Sequence, residues 1–214
     1  MMNTILQDLN KHKIVAICRG VSTENILDTA KALYDGGIRF MEVTFNQKAA
    51  DPIIETAASI KLLTEKMGDK MYFGAGTVLT PQQVDAAIDA GAKYIISPYF
   101  SVDVVKRTVE RGAISMPGCL TPSEVVNAYE AGAHIVKLFP AGNLGVGYIK
   151  AVMAPISHIP LMAVGGINAA NMSDFLKLGI MGLGIGGNLV DTKLIAEGKF
   201  DEITKIALTY TSQI

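Results

Sequence analysis

The sequence has no tryptophan, two cysteines and three histidines in 214 residues, and only 18% of its residues are charged, against roughly 25% in an ordinary soluble domain. Each scarcity excludes something. Cys18 and Cys119 form no CxxC pair and no other ligand spacing. A disulfide framework or thiolate metal site is therefore not expected, and two reduced thiols in a cytoplasmic protein fit better. His12, His134 and His158 make neither HExxH nor HxH, so the sequence offers no metal cluster, and no cofactor motif accompanies them. No apolar run approaches the ~18 to 20 residues of a bilayer span. The stretch from Met1 to Lys13 lacks the unbroken apolar core of a signal peptide and reads as a short amphipathic helix carrying Ile5, Leu6 and Leu9. Neither charge sign dominates. Lys plus Arg number 19 against 20 Asp plus Glu, a net charge of -1, which excludes a basic nucleic-acid binder and an acidic disordered tail.

What is abundant is apolar: 50% of residues are hydrophobic and the mean hydropathy is +0.33, so an unusually large share of the chain must be buried. Short runs rich in Val, Ile and aromatics recur from end to end, at Ile14–Cys18, Ile38–Val43, Met71–Ala75, Tyr94–Ser97, Ala113–Met116, His134–Leu138, Leu161–Val164 and Met181–Ile185. Helical periodicity fills the intervals, as at Asn25–Tyr34 and Val84–Ala90. Thr80-Pro81-Gln82-Gln83 and Thr121-Pro122-Ser123-Glu124 both carry the capping-box pattern, and glycines such as Gly36, Gly91, Gly112, Gly132 and Gly179 close the helices. Units averaging about 27 residues predict one α/β domain over residues 1–214, a (β/α)8 barrel with a short N-terminal helix. A doubly wound open sheet is the alternative. Two features weigh against it: Glu42 and Lys137 sit inside apolar strands, and Cys18-Arg19-Gly20-Val21-Ser22 follows the first strand where a GxGxxG turn would be needed.

Lys137 is the most informative residue. Flanked by Ile135-Val136 and Leu138-Phe139, its amine is expected to lose its proton more readily through desolvation, and a neutral amine attacks carbonyls to form a Schiff base. The competing reading is a lysine that snorkels to water beside an ion-pair partner. Glu42, inside Phe40-Met41-Glu42-Val43-Thr44, supplies an acid/base group that strand alternation turns toward the same interior, either as an ion-pair partner or for proton transfer. Val164-Gly165-Gly166-Ile167-Asn168 and Gly184-Ile185-Gly186-Gly187-Asn188 follow the last two strands, where such barrels hold phosphate on backbone N–H groups and a helix N-terminus. Tight turns are the plainer reading of each pair alone. Arg19 after the first strand offers a cation nearby. Gly74-Ala75-Gly76-Thr77 suits an anionic carboxylate or simply a turn and cap, and Ser97-Pro98 and Met116-Pro117-Gly118 end two further strands. His134, at a strand start, reads as structural.

These elements, in this order, resemble the class I aldolases acting on 2-keto-3-deoxy-6-phosphogluconate (KDPG) and the related 4-hydroxy-2-oxoglutarate (KHG) aldolases. The resemblance runs through Lys13–Ile17 with Arg19, Met41–Thr44, Gly74–Val78, Ile96–Pro98, Met116–Gly118, Lys137-Leu138-Phe139-Pro140-Ala141 and Gly165–Ile167. It implies that Lys137 is the Schiff-base lysine and Glu42 the general acid/base. It further implies that Thr77 contacts the pyruvate carboxylate, Phe139 packs at the pyruvyl group, and Gly165-Gly166 and Gly186-Gly187 cradle phosphate. Pro98, Val164 and Asn188 join the substrate-binding set. The implied protein is a metal-independent homotrimer without a cofactor, acting on a phosphorylated keto acid and pyruvate, with no nucleic-acid or membrane partner.

Three positions depart from the pattern. Asn46 stands where many members carry Arg, so a second cation is missing there; Val164 stands where phosphogluconate-type members often have Thr, and in this it is closer to the galactonate-type enzymes; Asn188 stands where Ser is common. The expected reaction is reversible cleavage of KDPG into pyruvate and glyceraldehyde 3-phosphate. The 6-phosphogalactonate analogue or 4-hydroxy-2-oxoglutarate is the alternative substrate. An isomerase or epimerase on the same barrel, or a phosphate-ligand sensor, is a more distant alternative.

Overall fold

The computed structural model describes residues 2–214. Nine parallel strands are β1 (Ile14–Cys18), β2 (Phe40–Thr44), β3 (Tyr72–Gly76), β4 (Tyr94–Ile96), β5 (Ile114–Met116), β6 (Gly118–Cys119), β7 (Val136–Leu138), β8 (Leu161–Val164) and β9 (Gly182–Ile185). They form one sheet in the order β5-β4-β3-β2-β1-β9-β8-β7-β6. The two ends of that order, β5 and β6, are consecutive in the chain and separated by Pro117 alone. Proline has no N–H to give to a ladder, so the fifth strand ends at Met116, as expected, and the two-residue β6 beyond Pro117 is an addition to the eight expected runs. The segment still binds its neighbour: Ser115, Pro117 and Cys119 carbonyls accept from the backbone N–H groups of His134 (3.0 Å), Lys137 (2.9 Å) and Phe139 (3.0 Å). The nine pieces thus occupy the positions of an eight-stranded barrel, and the open-sheet alternative falls.

The apolar residues sort into two sets because side chains alternate along a strand. Ile14, Ala16, Met41, Val43, Phe73, Ala75, Leu161 and Ala163 face outward onto a helical layer that includes α2 (Thr23–Asp35), α3 (Pro52–Met67), α4 (Pro81–Asp89), α5 (Val102–Glu110), α6 (Pro122–Glu130) and α7 (Ala141–Met153). Val15, Phe40, Tyr94, Ile96, Ile114, Met116, Ile135 and Met162 fill the barrel. The N-terminal helix α1 (Met2–His12) packs Ile5 and Leu9 into this inner set and closes the end of the barrel where the strands begin. The opposite end carries the site.

The remaining helices are α8 (Met172–Leu176), α9 (Thr192–Ala196) and α10 (Phe200–Thr211), of which α8 and α9 have five residues each. Thr121 and Glu124 form a complete capping box on α6. On α4 the box is incomplete: Thr80 accepts from the Gln83 N–H, but the Gln83 side chain accepts from Leu79 N–H at 2.7 Å instead of from the cap residue.

Candidate active site

Alternation puts Phe40, Glu42 and Thr44 of β2 on the inward face and places Lys137 of β7 with Ile135 and Phe139. The inner apolar layers lie beneath them, so both ionisable groups are buried: Glu42 is 2% exposed and Lys137 6%. Such burial removes snorkelling as the account of Lys137. Ion pairing at contact distance is also absent: among the described residues no carboxylate bridges to Lys137. Its ammonium nitrogen lies 4.8 Å from the centre of the Phe139 ring. Two glycines of β3 make the space. A Cβ at Gly76 would overlap the Glu42 carboxylate, and one at Gly74 would overlap the Tyr94 ring.

Burial sets the charge balance. Desolvation lowers the pKa of Lys137, opposed by the nearby charge of Glu42. The same desolvation raises Glu42 to about 7, outweighing the attraction of Lys137 and Arg19. Oε2 of Glu42 is buried and unpartnered. The arrangement therefore combines an amine released toward its neutral, nucleophilic form with a carboxyl group able to give and take a proton near neutrality.

Both groups open into a cavity of about 230 Å³ lined by every site residue picked out in the sequence: Lys137, Glu42, Arg19, Thr77, Pro98, Phe139, Val164, Gly165, Gly166, Gly186, Gly187 and Asn188. Ile17, which sequence reasoning missed, also lines it, as do Ile167 and Gly184 from the two glycine motifs. Ile17 alternates with the outward Ala16 and Cys18, so strand period was the signal available for it. Gly184 clears space, because a Cβ there would strike Val164.

The two glycine turns differ. Gly165 and Gly166 have φ of 89° and 75°, a left-handed backbone that glycine alone adopts without strain. Their carbonyls are tied down, Gly165 O accepting from Gly142 N–H at 2.7 Å and Gly166 O from Asn171 Nδ2 at 2.9 Å. Gly186 opens a single hydrogen-bonded turn, its carbonyl accepting from Leu189 and Val190 N–H. Neither pair leads directly into a helix, since α8 and α9 begin beyond these turns, so the expected helix N-terminus is replaced by loop N–H groups. Asn188 spends its side-chain amide on Ile167 O at 3.1 Å, bracing one turn against the other.

Arg19 lines the same cavity as both glycine turns. Its Nη2 donates to Thr77 Oγ1 at 3.3 Å, which ties it to the β3 end of that cavity. Asn46 lies outside the cavity, in a separate crevice of about 390 Å³ toward α3. Its side chain closes a turn by accepting from Lys48 N–H at 3.1 Å. Among the described residues, no group of three or more His, Cys, Asp or Glu could hold a metal ion, and no helix is long and apolar enough to cross a membrane.

Comparison with known proteins gives consistent matches. The family model described as KDPG and KHG aldolase matches residues 5–206. The chain is 36% identical over 185 residues to the 2-dehydro-3-deoxy-6-phosphogalactonate aldolase of Escherichia coli K12, covering 86% of this chain and 87% of that one. It is 37% identical over 186 residues to the KHG/KDPG aldolase of the same organism, covering 86% and 84%. Among solved structures, KDPG aldolase from Legionella pneumophila, with pyruvate captured at low pH as a covalent carbinolamine intermediate, superimposes with a TM-score of 0.85 at 25% identity, covering 96% and 97% of the two chains.

Proposed function

The chain belongs to the KDPG and KHG aldolase family, metal-independent class I carbon–carbon lyases, and on that premise we propose that it reversibly cleaves 2-keto-3-deoxy-6-phosphogluconate to pyruvate and glyceraldehyde 3-phosphate. The observation that carries this reading is the buried Lys137 amine sharing one cavity with Glu42 and two glycine turns. Lys137 attacks the C2 carbonyl and, on loss of water, forms the iminium; its positive charge makes C2 an electron sink. Glu42 removes the C4 hydroxyl proton as the C3–C4 bond breaks, and the electron pair moves into the enamine. Protonation at C3 and hydrolysis release pyruvate and return the free amine. The carbinolamine captured in the Legionella relative corresponds to the first covalent species of this sequence.

In this reading Phe139 packs against the pyruvyl group and Pro98 walls the cavity beside it. The N–H groups of Gly165, Gly166, Gly186, Gly187 and Asn188 receive the phosphate, a role backbone donors fill without a helix. Arg19 and Thr77 receive the carboxylate, and with Asn46 outside the cavity Arg19 is the cation for that end. The active form is a cytoplasmic homotrimer.

Val164 favours a second reading. Its side chain is apolar and lines the cavity, so it gives no hydrogen bond to a substrate hydroxyl, and a relative at 36% identity acts on the 6-phosphogalactonate compound. Measuring kcat/KM side by side for the phosphogluconate, phosphogalactonate and hydroxy-oxoglutarate substrates decides between them. The proposal expects the phosphogluconate to be the fastest; a tenfold or larger preference for either other substrate overturns it.

A further inference from the structure

Thr77 follows β3 with φ of 56°, a left-handed conformation unfavourable for a β-branched residue. Something must hold it. Its side chain accepts from Arg19, and its carbonyl accepts from Gln47 Nε2 at 2.9 Å. Gln47 lies on an exposed loop, where a long side chain would ordinarily sample many rotamers. It is fixed in turn by Gln83, whose Nε2 donates to Gln47 Oε1 at 3.1 Å. Gln83 is only 5% exposed, and its Oε1 accepts from Leu79 N–H at 2.7 Å.

Donor and acceptor types make this chain directional. Leu79 N–H only donates, so the oxygen of Gln83 must face it and the Gln83 NH2 must face Gln47. The oxygen of Gln47 then faces Gln83, which leaves the Gln47 NH2 for the Thr77 carbonyl. A glutamate at position 83 would break the sequence, because a carboxylate cannot donate. The comparison is present in the same molecule: at the equivalent place on α6, Glu124 accepts from Leu120 N–H (2.9 Å) and Thr121 N–H (2.8 Å) and donates to nothing.

The geometry points to Gln47 and Gln83 as positioning residues that hold Thr77 in its strained conformation, so that its hydroxyl and Arg19 together meet the carboxylate of pyruvate. This deepens the proposed role of Thr77 and rests on it. The β2–α3 loop, through Gln47, thereby supports carboxylate recognition from outside the cavity, although Asn46 beside it brings no cation.

The test uses the full-length enzyme and follows exchange of the pyruvate methyl protons in D2O by NMR, a half-reaction that needs the enamine but no aldehyde. Gln83→Glu keeps the acceptor for Leu79 N–H and removes the donor to Gln47; Gln47→Met removes the donor to Thr77. Each is expected to raise KM for pyruvate roughly three- to tenfold, the scale of one neutral hydrogen bond. The exchange kcat should change less than twofold, and inhibition by inorganic phosphate should be unchanged. The double variant should be no worse than the weaker single one, since the bonds lie in series. Thr77→Val is measured beside them. A raised KM in Thr77→Val with an unchanged KM in both glutamine variants overturns the positioning role alone. An unchanged KM in Thr77→Val overturns the reading of Thr77 and this inference with it. Equal losses in pyruvate and phosphate affinity would mean general loosening and would also overturn it.

Discussion

Glu42 shows how one side chain couples chemistry to stability. Its pKa stands near 7 because burial outweighs the attraction of Lys137 and Arg19. As the base for cleavage it must be ionised, so kcat/KM in the cleavage direction is expected to rise with pH through about 7, and Glu42→Gln to lower it by roughly 10²- to 10⁴-fold. A wild-type profile with no ascending limb between pH 6 and 8 contradicts the assignment. The sign for stability is the reverse of the usual carboxylate case. The folded state holds this proton more tightly than the unfolded chain does, so ionisation weakens the fold as pH rises from about 4.5 to about 7. Glu42→Gln is uncharged throughout. Its Tm relative to wild type should therefore climb across that window and level off above it, and a Tm difference independent of pH would count against the burial argument.

At the scale of elements, β3 divides two duties between glycines on one face. Gly74→Ala places a methyl in the fully buried Tyr94 ring, whereas Gly76→Ala places one in the Glu42 carboxylate, which borders the cavity. Gly74→Ala is expected to destabilise by about 1 to 3 kcal/mol in thermal unfolding, the usual size of overpacking in a core. Gly76→Ala should instead keep most of its Tm and lose at least tenfold in kcat; the opposite pattern would show that the two glycines have been assigned the wrong neighbours. Elements of this kind were partly legible in the sequence. Lys137 and Glu42 stood out because a charge inside an apolar strand has few explanations, and the alternation that buries Phe40 also aims Glu42. The stop at Met116-Pro117 was legible, but β6 beyond it was not, since it depends on pairing with β7 while β5 pairs with β4. The Gln83–Gln47 link escaped for a similar reason. Thr80-x-x-Gln83 and Thr121-x-x-Glu124 read alike as capping boxes, and only long-range packing reveals that one side chain donates where the other cannot. Arg19 was read as a cation near the glycine turns, and it lines their cavity; its bond to Thr77 joins the ends of two strands far apart in the chain and was not legible.

For the whole molecule, the scarcity of charge has a structural meaning. Two apolar layers, one inside the barrel and one beneath the helices, absorb most of the hydrophobic content, and Ile54, Tyr99, Val102 and Leu120 remain exposed on the surface. The proposed trimer would cover apolar surface of this kind. Sedimentation equilibrium is expected to give three times the 22.8 kDa of one chain, and a monomer mass at micromolar concentration contradicts it. Everything proposed about catalysis depends on one covalent bond, and it can be trapped. Incubation with pyruvate and sodium borohydride, followed by peptide mass analysis, should place a reduced pyruvyl adduct on Lys137 in the wild-type enzyme, and none in Lys137→Ala, which should also fail to turn over KDPG. An adduct on a different lysine, or turnover retained by Lys137→Ala, would contradict the account.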